Sequence, residues 1–312
     1  MHALKNKGVA IVYISHRMEE VFAHCDTITV MRDGYAISSK PTRETNMEQV
    51  VRDMVGRSIT EYYPGRTNEP GEIVLEVKNF CQKGLFNNIS FKLRKGEILG
   101  VAGLMGAGRT EIMRALFGVD SCKHGEVYLH GKKVCIQKPE DAIKAGIGFI
   151  TENRKSEGLI LDFSISRNIA LPSVDTFAKR SVINAKNETA FSEALSKKLG
   201  VKTASIDLEA GALSGGNQQK VVIAKWIGMN PSIIIMDEPT RGIDVGAKRD
   251  IYDLMNELTS QGVAIIMVSS ELPEVIGMSD RILVIHEGKI AGELDHEEAT
   301  QEKIITLATG GQ

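Results

Sequence analysis

The amino-acid sequence predicts an α/β fold, with a largely parallel sheet, an antiparallel segment at its N-terminal end and a helical insertion. Short apolar runs alternate with stretches of helical length along most of the 312 residues. Two of these runs end in groups suited to phosphate and metal: a glycine-rich loop follows residues 98–102, and two acids follow residues 233–236. Because parallel strands end at one edge of a sheet, we expect these groups to lie close together.

The N-terminal residues repeat a stretch near the C-terminus. Residues 8–34 and 262–288 align at a constant offset, 262 − 8 = 254, and eleven aligned positions are identical. This similarity indicates duplication. We therefore expect residues 1–57 to be the C-terminal fragment of a first module, 58–71 a linker and 72–312 a complete second module, in a chain truncated at its N-terminus. A natural short protein with a strand–helix–strand extension is the alternative.

The individual elements follow from apolar patterning and turn residues. Isoleucine- and valine-rich runs predict strands, and Arg-Asp-Gly-Tyr at 32–35 predicts a hairpin turn. Between residues 139 and 211 the strand signals weaken, so a mostly helical insertion is expected there. The predicted strands are 9–14, 27–31, 73–77, 89–93, 98–102, 233–236 and 263–268. The predicted helices are 17–24, 47–55, 110–117, 186–199, 216–229, 247–261 and 301–307.

A phosphate-binding loop is predicted at residues 103–110. Its sequence, Gly-Leu-Met-Gly-Ala-Gly-Arg-Thr, matches GxxxxGK[ST] with arginine in place of lysine. Such glycines let backbone N–H groups face a polyphosphate at a helix N-terminus, and the threonine hydroxyl is placed to bind Mg²⁺. Arginine keeps the positive charge on a wider, planar group, so we expect altered phosphate geometry. The predicted nucleotide-binding residues are Gly103, Gly106, Ala107, Gly108, Arg109, Thr110 and Glu111.

Two further motifs support nucleotide chemistry. Asp237 is predicted to bind Mg²⁺ together with Thr110, and Glu238 to polarise the attacking water. A Ser-Gly-Gly turn opens the predicted helix 216–229, where free N–H groups bind anions. Taken singly, the motifs also fit a tight turn, a strand end and a helix cap, but their joint occurrence favours a nucleotide site. The predicted signature residues are Ser214, Gly215, Gly216 and Gln218.

Composition excludes several classes. With 38 basic and 40 acidic residues the net charge is −2, which gives no broad cationic surface for nucleic acid. No apolar stretch approaches the ~20 residues that span a bilayer. The four cysteines form no CxxC pair and have no metal-ligand spacing with histidine, so they are expected to be reduced.

The motifs together resemble the second ATPase module of the ribose/galactose-type monosaccharide importers of the ABC family, whose two modules are fused in one polypeptide. The segments that carry this resemblance are Thr-Glu-Asn-Arg-Lys at 151–155, Leu-Ser-Gly-Gly-Asn-Gln-Gln-Lys at 213–220, Asp-Glu-Pro-Thr-Arg-Gly-Ile-Asp at 237–244 and Val-Ser-Ser-Glu-Leu-Pro-Glu-Val at 268–275. The resemblance covers essentially the whole chain. It implies a P-loop NTPase fold of ABC type that uses ATP and Mg²⁺ at the cytoplasmic face of the membrane. The implied partners are membrane permease subunits, a second ATPase module and, indirectly, an extracytoplasmic sugar-binding protein.

The resemblance also implies roles for single residues. His16 matches the switch histidine, and the repeat puts Ser270 at that position in the second module, where the imidazole donor is lost. Glu152 stands where the family has a metal-sensing glutamine. His16 and the Ser-Gly-Gly turn would serve a competent site, whereas Arg109 and Glu238 would serve a weakened one. We expect ATP binding with weak or absent hydrolysis; the alternative is a non-hydrolytic, nucleotide-gated interaction module.

Three positions keep two interpretations. Asp244 either couples the two sites or caps a helix. Residues 153–170 either dock a cytoplasmic helix of the permease or pack the insertion against the core. Phe80 and Phe86 either stack on adenine or belong to the core.

Overall fold

A six-stranded sheet lies at the centre of residues 72–312, the expected second module. The computed structural model describes residues 1–15, 18–32, 34–55, 63–65, 69–121, 124–179 and 182–311. In spatial order the strands are β14 (Lys289–Asp295), β13 (Arg281–His286), β5 (Ile98–Gly103), β12 (Ala264–Val268), β11 (Ile233–Asp237) and β8 (Ile147–Ile150). Neighbouring strands are parallel except for the antiparallel pair β13 and β14. The predicted largely parallel sheet is therefore confirmed.

A second, antiparallel sheet has four strands. Their order is β4 (Phe86–Arg94), β3 (Ile73–Gln82), β6 (His124–Leu129) and β7 (Lys132–Val134). Buried and exposed residues alternate along β4, so one face of this sheet packs on the core. Phe80 and Phe86 are both buried, with ring centroids 5.5 Å apart, which supports their interpretation as core residues. The sequence did not predict β6 and β7.

Helices pack against the six-stranded sheet. They are α4 (Arg109–Phe117), α9 (Gly215–Ile227), α10 (Val245–Ser260), α11 (Leu272–Met278) and α12 (Gln301–Ala308). No helix in the described ranges is long and apolar enough to cross a membrane.

The stretch 139–211 is mostly helical, as predicted, but it also contains three short strands. It contains α5 (Pro139–Lys144), α6 (Ile165–Ala170), α7 (Val174–Phe177), α8 (Ala185–Lys198) and a short hairpin of β9 (Ala178–Lys179) and β10 (Val182–Ile183). However, β8 also lies in this stretch and pairs with β11 in the main sheet. All four of its residues are buried, so its sequence has no alternation that would distinguish a short strand from a helix.

The N-terminal residues repeat the C-terminal structure as well as its sequence. Their elements are α1 (His2–Lys5), α2 (Met18–His24), β1 (Thr27–Arg32), β2 (Tyr35–Pro41) and α3 (Met47–Val55). Adding 254 to the bounds of α2, β1 and β2 gives the bounds of α11, β13 and β14. Both hairpins shift register at the equivalent step, Val30/Met31 and Val284/Ile285. The two stretches therefore share one local fold.

Residues 9–14 do not form the predicted strand. Val12 and Ile14 are 91% and 93% exposed. The equivalent strand in the repeat, β12, is buried between β5 and β11. Among the described N-terminal residues, only β1 and β2 form a sheet, and residues 9–14 pair with neither. The apolar pattern thus predicted a burial that depends on partner strands.

The expected linker, 58–71, is described at residues 63–65 and 69–71. The Tyr63 ring lies 5.3 Å from the Tyr252 ring on α10, and Asn256 donates a hydrogen bond to the Pro64 carbonyl at 3.0 Å. This part of the segment is therefore packed on α10.

Candidate nucleotide site

The phosphate loop connects β5 to α4, as predicted. Gly103, Gly106 and Gly108 have φ values of 153°, 78° and 98°, which glycine adopts without strain. A Cβ atom at Gly103 would lie 2.5 Å from the Ile285 carbonyl oxygen. Gly108 is the N-cap of α4, so the first N–H groups of this helix open toward the loop. The loop therefore offers backbone donors to an anion.

The turn between β13 and β14 fixes the shape of this loop. The Gly288 N–H donates to the Ala107 carbonyl at 2.8 Å, and the Gly288 carbonyl accepts from Asn87 N–H at 2.8 Å. Gly288 has φ +71°, and a Cβ atom there would lie 2.2 Å from the Leu85 carbonyl oxygen. Glycine is therefore required at this contact. Sequence reasoning matched Gly34 with Gly288 in the repeat but missed this role.

Asp237 and Thr110 fit a magnesium ion. Asp237 is fully buried at the end of β11, and neither carboxylate oxygen has a hydrogen-bond partner among the described residues. Burial raises the pKa of Asp237 to about 6, while the Thr110 hydroxyl and the Arg109 guanidinium oppose this rise. Mg²⁺ prefers hard oxygen ligands such as a carboxylate, a hydroxyl and phosphate oxygens. Thr110 and Asp237 would hold the ion beside the loop.

Glu238 lies next to Asp237 in a strained backbone conformation. Its φ is +50°, which is uncommon outside glycine, and its side chain is 11% exposed. Burial raises the pKa of Glu238 to about 7, opposed first by Ser270 and then by Arg109. The Ser270 hydroxyl donates to Glu238 Oε2 at 3.1 Å. The structure thus brings Glu238 together with Ser270, the predicted switch position.

Arg109 is directed toward the strand ends. It is 9% exposed, and its Nη1 donates to the Ser269 carbonyl at 2.7 Å. Its Nη2 lies 4.0 Å from Glu238 Oε1. A phosphate in the loop would compete with these two partners for the guanidinium.

The Ser-Gly-Gly turn opens α9, as predicted. Ser214 is the N-cap, and its hydroxyl accepts from the Asn217 amide at 2.9 Å. A Cβ atom at Gly215 would lie 2.8 Å from Arg154 Nη2, and one at Gly216 would lie 2.8 Å from the Ala247 Cβ. These neighbours differ from those that shape the phosphate loop. Gln218 is buried and donates to the Ala210 carbonyl at 3.3 Å, which is a structural contact.

Two of the predicted switch and coupling residues, Glu152 and Asp244, contact or lie on the segment after Glu238. Glu152 forms an ion pair with the Arg241 guanidinium. Asp244 Oδ1 accepts from Ala247 N–H at 2.9 Å and so caps α10, which is one of its two interpretations. Glu111 lies half-buried in the first turn of α4. His16 lies outside the described residues.

A groove of about 380 Å³ lies beside the insertion. It is lined by residues that include Arg114, Phe149, Glu157, Lys225 and Trp226. Burial lowers the pKa of Lys225 to about 8, and its Nζ donates to the Gly158 carbonyl at 2.6 Å.

Residues 153–170 are divided between core and surface. Leu159 is buried, whereas Ile160 and Phe163 are 41% and 38% exposed. Both interpretations of this segment therefore find support in different residues.

Sequence reasoning missed Ser269 and Glu274 as parts of the site. Ser269 accepts from Arg109 through its carbonyl, and its hydroxyl donates to the buried Glu274 carboxylate. The available signal was the repeat, in which Ser15 and Glu20 occupy the equivalent positions.

Comparisons with known proteins agree with this geometry. The family model of the ABC transporters matches residues 86–241. The ribose import ATP-binding protein RbsA of Bacillus licheniformis is 61% identical over 312 residues, and that of Bacillus subtilis is 62% identical over 310. The matches cover 100% and 99% of this chain, but the chain spans only 63% of either relative.

A comparison with solved structures finds the same fold. The ATP-binding cassette MJ1267 of an ABC transporter, in its ADP conformation, superposes with a TM-score of 0.63 at 23% identity, covering 76% of this chain and 99% of that one. With the phosphate loop, the acidic strand end and the family match in agreement, the chain belongs to the ABC transporter family and carries its ATP-binding domain.

Proposed function

We propose that this chain is the ATP-binding part of an importer for a monosaccharide, acting at the cytoplasmic face of the membrane. The observation that carries the proposal is the meeting of the phosphate loop with buried Asp237 and Glu238 at one edge of the sheet. The relatives are named as ribose import proteins, so ribose is the proposed sugar. A membrane permease and an extracytoplasmic binding protein would contact the sugar itself.

The repeat supports two ATPase modules in one functional unit. We assign residues 1–57 to the end of a first module, 58–71 to a linker and 72–312 to a second module. A helix N-terminus binds a phosphate that faces it. The turn at Ser214 neighbours Arg154 and Ala247, not the phosphate loop of residues 103–110. We therefore propose that this turn acts, together with His16, on nucleotide held by the first module. Asp244 lies on the segment proposed to couple the two sites.

The site of the second module is proposed to bind Mg-ATP and to hydrolyse it poorly. Arg109 already has two protein partners, Ser269 and Glu238, with which phosphate must compete. Ser270 replaces the imidazole of the switch histidine with a hydroxyl that bonds to Glu238. Glu238 is nevertheless present, so residual hydrolysis is expected.

The same contacts favour a second candidate, a non-hydrolytic module in which ATP only clamps subunits together. In that case Glu238→Gln changes neither phosphate release nor ATP affinity. In the importer, Glu238→Gln removes the residual phosphate release.

The groove lined by Arg114, Phe149 and Trp226 is the proposed contact for a permease subunit. It adjoins residues 153–170, where Ile160 and Phe163 expose apolar area. Exposed apolar side chains beside polar residues are typical of a protein interface.

The proposal is tested first by nucleotide binding. We expect a fluorescent ATP analogue to bind the purified chain in a Mg²⁺-dependent manner. Thr110→Val keeps the shape of the side chain and removes the hydroxyl, so it should weaken the dependence on Mg²⁺. Thr176→Val, on α7, is the matched control and should bind as the wild type does. Absence of binding by the folded wild-type chain would refute the proposed function.

The asymmetry of the two sites is tested in a protein that carries both modules. His16→Ala should lower sugar-stimulated ATPase activity on the order of 100-fold, as expected for loss of a transition-state donor. Ser270→Ala should have little effect. Equal losses in the two variants contradict the proposed asymmetry.

A further inference from the structure

A buried carboxylate on α11 joins the ends of two central strands. Glu274 is 1% exposed. Its Oε1 accepts from the Thr240 hydroxyl at 2.7 Å, and its Oε2 accepts from the Ser269 hydroxyl. The Ser269 hydroxyl in turn accepts from Glu271 N–H at 3.0 Å. Both carboxylate oxygens are therefore used.

The two hydroxyl groups flank the site on either side. Glu238 directly follows β11, and Thr240 lies two residues after Glu238. Ser269 directly follows β12. The strands meet where Glu238 N–H donates to the Val268 carbonyl at 2.8 Å. A displacement of either strand end would therefore move Glu238 relative to Ser270.

We propose that Glu274 is a positioning residue that holds Glu238 against Ser270 and Arg109. This inference rests on the proposed function of Glu238. Through Ser269, Glu274 fixes the carbonyl to which Arg109 donates at 2.7 Å and the start of the segment carrying Ser270. Through Thr240, it fixes the segment that follows Glu238. A residue at φ +50° needs such surrounding contacts to keep its conformation.

The chemistry of Glu274 fits this role better than simple packing. A buried carboxylate carries a desolvation cost that an apolar side chain of similar volume avoids. A planar group with two oxygens can accept at the same time from the Thr240 and Ser269 hydroxyls, which follow different strands. Glutamine keeps this planar shape, but its amide has one oxygen that accepts and one NH₂ group that donates. A hydroxyl group can pair with either, because it can donate or accept a hydrogen bond.

The test compares Glu274→Ala and Glu274→Gln with a matched control. Glu97→Gln is the control. Glu97 is also 1% exposed, and its carboxylate accepts hydrogen bonds from the Arg281 side chain and the Arg94 N–H. However, Glu97 directly precedes β5, at the N-terminal ends of the parallel strands, opposite the candidate site. Hydrogen exchange is measured at the amides of Glu238 and Glu271. Glu274→Ala should speed exchange at both by about tenfold or more, since a buried bond is lost. Glu274→Gln should restore near wild-type exchange, and Glu97→Gln should leave both amides unchanged.

Single-turnover phosphate release from bound Mg-ATP is the second measurement. Glu274→Ala should slow it by about tenfold or more, with ATP affinity changed less than about threefold, because misplacing Glu238 affects the reaction more than binding. Glu274→Gln should recover most of the rate. The proposal is overturned if Glu274→Ala leaves exchange at both amides unchanged, or speeds exchange equally throughout the chain. If Glu238→Gln does not alter phosphate release, the proposed role of Glu238 fails, while hydrogen exchange still decides whether Glu274 holds the strand ends.

Discussion

The acidic pair at the end of β11 should make the nucleotide-free protein less stable as pH rises through neutrality. Burial raises the pKa of Asp237 to about 6 and that of Glu238 to about 7, from ordinary values of 3.8 and 4.5. At a pH between the ordinary pKa and the raised pKa of each acid, the folded state binds more protons than the unfolded state. Stability must therefore fall as pH rises, and the loss is complete once pH exceeds both folded-state pKa values.

The size of the effect follows from the two shifts. Each pKa unit corresponds to about 1.4 kcal/mol. Between pH about 5.5 and about 7.5, this linkage gives about 2 kcal/mol from Glu238 and about 1 kcal/mol from Asp237. For a domain of about 250 residues, a total of about 3 kcal/mol lowers the unfolding temperature by about 6 °C. A variant that lacks both acids isolates their contribution.

The assay is urea unfolding of the chelator-treated protein at both pH values. Asp237→Asn combined with Glu238→Gln removes both titrating groups, so it should be more stable than the wild type near pH 7.5 and lack this part of the pH dependence. Glu297→Gln combined with Glu298→Gln makes the same charge change on the surface and is the control. If the double variant at 237 and 238 keeps the wild-type pH dependence, the acids do not titrate as argued.

Two further predictions concern the glycine turns. Gly288→Ala should weaken Mg-ATP affinity by about tenfold or more, because its Cβ would lie 2.2 Å from the Leu85 carbonyl oxygen and displace the loop. The control in the same titration is Gly131→Ala. Gly131 has φ +74° but open space around it. Equal affinities in the two variants contradict the role of Gly288. Gly215→Asp should leave the ATP affinity of this chain within about twofold, since its turn contacts Arg154 and not the loop. A large loss of affinity means that the turn acts on the loop of its own module.

Much of the site could be predicted from sequence because its parts are local. The glycines of the loop and the two acids after residues 233–236 belong to motifs that are only a few residues long. The helix 47–55 likewise follows from its own periodicity, and the strand predicted at 233–236 follows from an isoleucine-rich run. The repeat then located the C-terminal hairpin, whose bounds match those of its N-terminal copy to the residue.

The failures concern properties that depend on distant residues. Residues 9–14 have the pattern of a buried strand but no partner strands among the described N-terminal residues. The run 147–150 is buried only because β11 and α9 lie against it. The direction of Arg109 depends on the Ser269 carbonyl, 160 positions away in the chain. Such contacts leave no local pattern in the sequence.

We propose that the nucleotide site of this chain binds Mg-ATP but hydrolyses it poorly. The most direct test measures occupancy by ATP and release of phosphate on one sample of the purified chain. We predict about one ATP bound per chain and phosphate release far slower than the ~10 s⁻¹ typical of enzymes. Turnover near that typical rate, abolished by Glu238→Gln, would contradict an impaired site formed by Arg109 and Ser270.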